Sequence, residues 1–197
     1  MRHLERLGTE LLKWGGAVLL AMAMLAPGSV RASAAAPLSA ARVGVVTPKY
    51  EAWLNKQVRH KLAMLPWYGI FDNLTYSVNG TQVVLSGEVV NPATKGDAQA
   101  AVKNIEGVTS VVNKIQILPP SPMDNQIRWA EYRAIFSADG LYRYAMGVNP
   151  SIHIIVENGH VTLVGYVSNK ADAQLAYMRA NEVPGVFSVK NDLRVAS

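Results

Sequence analysis

The stretch Ile152–Val167, IHIIVENGHVTLVGYV, sets two apolar runs on either side of Asn158-Gly159. Asn-Gly readily takes the positive φ angles of a two-residue type I′ turn, so the stretch reads as a β-hairpin. Closing the turn there puts Glu157 opposite His160, Val156 opposite Val161 and Ile154 opposite Leu163. Side chains alternate along a strand. Ile152, Ile154, Val156, Val161 and Leu163 therefore share one face, and His153, Ile155, Thr162, Val164 and Tyr166 share the other. Gly165 interrupts the second strand, where a missing side chain admits a close neighbour or a bend.

The same pattern stands earlier in the chain. Leu74–Val90, LTYSVNGTQVVLSGEVV, carries its own Asn79-Gly80 and its own in-strand glycine, Gly87. Gly87 and Gly165, Gly107 and Gly185, and Asn113 and Asn191 are each 78 residues apart. Asp97-Ala98-Gln99 resembles Asp172-Ala173-Gln174 three residues out of step, which reads as a longer loop in the first copy and a longer helix in the second. The chain is a tandem duplication of one small unit.

Working outward, Tyr50–Leu65 has Leu54, Val58 and Leu62 at helical spacing and stops at Pro66. An aromatic loop, Trp67-Tyr68-Gly69-Ile70-Phe71, leads into the first hairpin. Asn91-Pro92 opens a second helix with Ala98, Ala101, Val102 and Ile105 as its stripe, and Gly107 ends it. Val108–Leu118 reads as a third strand, with Val111, Asn113, Ile115 and Ile117 on one face.

After a short Pro-rich linker, residues 119–123, Asp124 is placed to cap a helix over Asn125–Phe136. Its stripe is Ile127, Ala130/Glu131, Ala134 and Ile135. The loop Ser137–Pro150 is aromatic again, the second hairpin follows, and helix Lys170–Glu182 and strand Val186–Val195 close the chain. A helix between the hairpin and the third strand makes that strand parallel to its neighbour. The expected fold is α+β: two tandem αββαβ units, 51–118 and 124–197, each a three-stranded mixed sheet with two helices on one face.

The first 34 residues stand apart. Arg2, Arg6 and Lys13 precede an apolar run, Trp14–Leu25, and then the small residues Ala32-Ser33-Ala34. That order is a secretory signal peptide, and residues 35–50 read as a flexible lead-in. A periplasmic or secreted protein is expected, an inner-membrane signal anchor being the alternative. The chain has no cysteine, hence no disulfide, thiolate site or lipoprotein anchor point. Removing four basic and two acidic residues with the signal lowers the net charge from +5 to +3, too little to argue for nucleic acid.

Taken together, the Asn158–Gly165 hairpin, its looser counterpart Asn79–Gly87, the Asp-Ala-Gln helix starts and the Gly-Val-x-x-Val-x-Asn runs at Gly107–Asn113 and Gly185–Asn191 resemble the BON domain. This small αββαβ module is named for bacterial osmotic-shock and nodulation proteins. The resemblance covers both units. It implies export to the envelope, no catalysis, and binding to phospholipid or other envelope surfaces. Two departures stand out: the missing lipoprotein cysteine, and Gln82, which reads as an extra residue in the first turn.

Residues that carry chemistry are sparse. His153 and His160 do not converge with the three or four ligands a metal needs. Glu157 beside His160 is an acid/base arrangement at a hairpin tip, where side chains are usually solvated. No nucleophile elbow, phosphate-cradling loop or carboxylate pair is recognisable. No enzyme, metal or cofactor is expected.

Two surfaces stand out as candidates for lipid or partner binding. One is the outer face of the second sheet, where Ile155, Val164 and Tyr166 are flanked by His153, Lys190 and Arg194. The other is the pair of aromatic loops, with Trp67, Tyr68 and Phe71 in the first and Tyr142, Arg143 and Tyr144 in the second. Both have a structural use as well: the sheet face can be buried against the first unit or its aromatic loop, and the loops can close small cores. The expected partner is an anionic phospholipid or envelope surface, bound weakly. The alternative is a protein adaptor docking another envelope protein on the outer face of the second sheet. The sequence leaves the oligomeric state open.

Overall fold

A computed structural model describes residues 47–147 and 149–196. The signal-peptide reading, residues 1–34, and most of the lead-in lie outside the described residues.

The fold is α+β, with two tandem units. In the first, α1 (Pro48–Ala63), β1 (Asn73–Asn79), β2 (Gln82–Val89) and α2 (Pro92–Lys103) precede a third strand in two pieces, β3 (Ser110–Asn113) and β4 (Gln116–Ile117). In the second, α3 (Pro122–Phe136) is followed by a 3-10 turn at Leu141–Ala145. Then come β5 (Ile152–Glu157), β6 (His160–Val167), α4 (Lys170–Asn181) and β7 (Ser188–Val195). Each hairpin is antiparallel and each third strand is parallel to the middle one, giving sheet orders β1-β2-β3 and β5-β6-β7.

The second hairpin has the expected register, including Glu157 opposite His160 and Ile154 opposite Leu163. Its turn is built as read, with φ of 52° at Asn158 and 77° at Gly159. Ile152, Ile154, Val156 and Leu163 are fully buried beneath α3 and α4. Each such side chain stabilises the fold by about 1.5–3 kcal/mol relative to exposure.

The first hairpin differs from its reading by one residue. Asn79 pairs with Gln82, so the turn is Gly80-Thr81 and Gln82 is a strand residue rather than an insertion. Gly80 alone carries positive φ there, 64°. That pattern belongs to a II′ turn, which wants glycine first and tolerates threonine second.

The 78-residue offset then runs without a gap. Leu85 pairs with Asn113 as Leu163 pairs with Asn191, and α2 and α4 each contain 12 residues. Ala98 and Val102 are fully buried, as are Ala176 and Ala180, each 78 residues on. The match between the two Asp-Ala-Gln runs is therefore a coincidence of composition, and neither the loop nor the helix changes length. Asn113 and Asn191 do the same work in both copies. Each donates its side-chain amide to a carbonyl in the first turn of the helix, Lys95 or Ala173, and accepts from the amide two residues ahead.

Gly87 and Gly165 show why a side chain is excluded in the middle strand. A Cβ at Gly87 would lie 1.9 Å from the Asn73 carbonyl oxygen, and one at Gly165 would lie 2.0 Å from that of Ser151, with φ of +109° and +122°. These positions need glycine both for backbone conformation and for space.

Two further expectations are corrected. The third strand of the first unit breaks after Asn113, leaving Ile115 buried and Ile117 44% exposed, so Ile117 does not join the apolar face. Asp124 does not cap its own helix, because Ser121 does, with Pro122 in the first helical position. The Asp124 carboxylate instead reaches across the second unit and accepts from the amides of Asn158 (3.0 Å) and Gly159 (2.8 Å).

Candidate binding cleft between the repeats

The loop after α1 is where the two repeats are joined. Asp72, almost fully buried, folds the loop by accepting from the amides of Gly69 (2.9 Å) and Val90 (2.7 Å). Burial pushes its carboxyl above the usual range, while those amides, together with His153 and Arg128, pull it back down. The loop so shaped presents Ile70 to the second repeat. The Ile154 amide on edge strand β5 donates to the Ile70 carbonyl at 2.8 Å. Ile70 and Phe71 pack against the second core, and Phe71 meets Trp129 edge-on at 5.1 Å. The first aromatic loop thus closes the core of the other repeat.

His153 is clamped by the same loop. Its Nδ1 lies 3.2 Å from the Gly69 carbonyl and its Nε2 lies 3.4 Å from the Tyr68 hydroxyl. The two rings stack with centroids 5.4 Å apart. This fits a neutral imidazole that donates from Nδ1 and accepts at Nε2. Burial holds the imidazole below its ordinary range, opposed by the Gly69 carbonyl and Asp72. The Tyr68 phenol is pushed up to about 12, chiefly by its own burial.

Beside this junction the edge of β1 faces the outer side of β6 and β7 across a cleft of about 1070 Å³. Arg59 and Tyr76 stand on the first wall, Tyr166 and Arg194 on the second, and Tyr68 and His153 where the walls meet. Tyr166 is 56% exposed.

The structure places the nine residues singled out in the sequence as follows. His153, Val164, Tyr166 and Arg194 line the cleft together. Ile155 does not serve as an exposed apolar face, since it is only 7% exposed, and His153 is covered by Tyr68 and Gly69. Much of that outer face is occupied by the protein itself. Lys190 is exposed and ion-paired with Asp192 at 2.6 Å.

Tyr142, Arg143 and Tyr144 sit on the 3-10 turn, away from the cleft lining. Of the three, only Tyr142 is exposed with a side chain that makes no hydrogen bond among the described residues. Tyr144 is a core residue whose hydroxyl accepts from the Ser168 amide at 2.8 Å and donates to Asp172, the carboxylate that also pairs with Arg143.

Tyr68 of the first aromatic loop lines the cleft as well, and so do Arg59 and Tyr76, which carry no such signal in the sequence. Arg59 reads in sequence as one more charge on a solvated helix flank. Only the fold shows which flank faces the second repeat. His160 turns to the Ser188 hydroxyl at 2.7 Å rather than to Glu157. Among the described residues no three His, Asp or Glu converge as a metal site, and no helix is long and apolar enough to cross a membrane. A second surface, a groove of about 800 Å³ on α3, is lined by Met123, Trp129 and Pro184 and was not anticipated either.

Comparison with known proteins follows the duplication. The model of one family, the BON domain, matches residues 50–119 and again 144–197, together more than half of the chain. Osmotically-inducible protein Y of Escherichia coli is 36% identical over 115 residues, covering 57% of this chain. The match spans about 56% of that relative's length. Among solved structures, the C-terminal domain of CdsD, a structural protein of the type III secretion system of Chlamydia trachomatis, aligns with 73% of this chain and 98% of its own. The identity is 15% and the TM-score 0.30, a superposition too loose to bear on arrangement or function.

Proposed function

The chain belongs to the BON domain family, and from that premise we propose that it is an exported, non-catalytic binding module that engages anionic phospholipid on envelope surfaces and supports envelope integrity. The observation that carries this reading is the cleft. Two arginines, Arg59 and Arg194, come from different repeats to a lining that also carries Tyr68, Tyr76 and Tyr166 beside polar residues such as Asn73, Thr75 and Asp192. Cation beside exposed aromatic ring suits the polar–apolar boundary of a lipid layer. The likeness to a protein named for osmotic induction supports a role at the envelope under stress.

Magnitudes keep the expected binding weak. Each cation near an anionic membrane contributes ~1 kcal/mol. Arg59 and Arg194 together therefore give roughly 2 kcal/mol, short of millimolar affinity without the aromatic contacts. The test is co-sedimentation of residues 35–197 with anionic and neutral vesicles across a salt series. Binding should require anionic lipid and weaken with salt; absence of binding at low salt overturns the reading.

A protein-adaptor role draws on a different surface from the one expected. Ile155 is buried, whereas Trp129 and Met123 on α3 are 50% and 62% exposed beside the groove at Pro184. Trp129→Ala should abolish capture of a crosslinked partner in cells if that surface is an adaptor site, and leave capture unchanged if it is not.

A further inference from the structure

Among the described residues the two sheets have four outer edges, and three of them are guarded. β5 is covered by the docked loop, with the Ile154 amide donating to the Ile70 carbonyl. β7 carries Lys190, Asp192 and Arg194, charges that blunt an edge against further pairing. β3 and β4 are short, four and two residues, with a break between them. β1 offers an unbroken edge of seven residues, Asn73–Asn79, with neither a charge nor a proline in it.

The register shows which groups that edge presents. The carbonyls of Thr81, Leu85 and Val89 accept from Thr109, Lys114 and Leu118, so these alternate residues face the third strand. Gln82, Val84, Ser86 and Glu88 therefore bond to their partners on β1, which are Asn79, Ser77, Thr75 and Asn73. Leu74, Tyr76 and Val78 are left with amides and carbonyls pointing away from the sheet. The Leu74 amide lies against the Tyr68 hydroxyl. The Tyr76 amide has no partner among the described residues, and its side chain is turned to α1, the hydroxyl bonded to the Asn55 carbonyl at 2.9 Å.

The second repeat shows the same edge in use. Ile154 stands 78 residues after Tyr76, and it pairs with Leu163 as Tyr76 pairs with Leu85. Its outward amide is the one that takes the Ile70 carbonyl at 2.8 Å. One copy of the edge holds a piece of main chain, and the other opens on the cleft between the repeats.

The cleft lining selects the kind of chain. Arg59 and Arg194 meet no acidic side chain among the described residues, while Asp192 is paired with Lys190. Asn73, Thr75 and Ser151 make the wall between them largely polar. An added strand supplies amides and carbonyls at the two-residue repeat of about 7 Å that the β1 edge presents. Carboxylate side chains on that strand answer the arginines, whereas a basic segment would meet two like charges.

We infer that β1 takes an extended acidic peptide as an added strand, about five residues long to span Leu74 to Val78, with its carboxylates on Arg59 and Arg194. This activity goes beyond the phospholipid reading and does not rest on it.

The probe is a blocked, fluorescein-labelled peptide, Glu-Val-Thr-Glu-Val-Thr-Glu, whose glutamates fall on both faces of a strand. Fluorescence anisotropy with the protein, purified as an exporting host processes it, should show saturable binding. With about nine-tenths of the protein occupied, hydrogen exchange at the Tyr76 amide should slow about tenfold, while the already bonded Ile154 amide stays unchanged. Arg59→Ala with Arg194→Ala should weaken binding roughly three- to thirtyfold, the worth of two exposed ion pairs. Lys103→Ala, on α2 and outside the cleft lining, should leave it unchanged. Circular dichroism confirms that each variant is folded.

Binding that leaves the Tyr76 amide in fast exchange is charge attraction without strand pairing and overturns the proposal. So does equal binding of the same peptide with lysine in place of glutamate, or an unchanged affinity in the folded double variant. A Tyr76 amide already protected without peptide, and more so at higher protein concentration, assigns the edge to a second copy of the chain and also overturns it. Vesicle binding without peptide binding removes this inference and leaves the phospholipid reading standing; peptide binding without vesicle binding does the reverse.

Discussion

Tyr68 of the first repeat stacks on His153 of the second, ring centroids 5.4 Å apart at 25°, with the phenol hydroxyl 3.4 Å from Nε2. The contact sits beside the Ile70–Ile154 backbone bond and couples the repeats through one patch of loop. Tyr68 is half-buried, so Tyr68→Ala should cost about 1–3 kcal/mol, less than emptying a fully buried aromatic site. It should also split unfolding into two transitions. Urea denaturation followed by fluorescence and circular dichroism checks this, since a wild-type-like single transition contradicts the coupling.

His153 sets an acid limit on that junction. Burial lowers its pKa in the folded protein below the ordinary 6.5, so the folded state holds fewer protons than the unfolded one. Its contribution to stability is complete above about pH 6.5 and is lost as pH falls from there through the folded value. Melting temperature of wild type against His153→Gln, measured from pH 7.5 to 5, should show a smaller acid-side loss in the variant.

Glu131 has the opposite sign. It is fully buried on α3 with neither carboxylate oxygen bonded, and burial pushes its carboxyl up to about 8. A folded pKa above the unfolded value means that stability is full below about pH 4.5 and declines as pH rises toward 8. Glu131→Gln should match wild type near pH 4 and exceed it by roughly 2–4 kcal/mol at pH 8. Equal denaturation midpoints at pH 8 would remove the claim.

Asp124 should prove one of the more sensitive polar positions. Removing it leaves the buried Gly159 amide and the part-buried Asn158 amide without their acceptor. Asp124→Ala should cost about 1–3 kcal/mol, the penalty of one unsatisfied buried donor. Asp124→Asn, which keeps one acceptor oxygen, should recover about half, as read from urea midpoints.

Gly165→Ala is expected to prevent the second repeat from folding, and Gly87→Ala the first. A methyl group at either position meets a backbone carbonyl oxygen at about 2 Å, which no side-chain rotation relieves. Amide spectra should show which set of sheet resonances collapses in each variant.

Several of these features are visible in the residues themselves. Asn158-Gly159 and its flanking alternation define the second hairpin because turn chemistry and strand period are both local. Gly87 and Gly165 announce a close approach without saying to what. The first turn slips by one because Asn79-Gly80 and Gly80-Thr81 both satisfy a two-residue turn, and only pairing with β2 decides between them. Asp124 reads as a cap because a capping carboxylate and one reaching a distant turn look alike in sequence. Least legible is the docked loop. Its central contact is the carbonyl oxygen of Ile70, and a backbone acceptor leaves no mark on residue type. For that reason Ile155 reads both as an available face and as one buried against the first unit or its aromatic loop, and Arg59 reads as an ordinary charge.

The loan of Ile70 to Ile154 bears on how such a duplicated chain can be inherited. Lifted out alone, the second repeat would expose the rim of β5, with a bare amide at Ile154 and an uncovered imidazole at His153. Recombination that cuts at the proline stretch between the copies would separate lender from borrower. For the second copy to keep that cover, the two copies have to travel together.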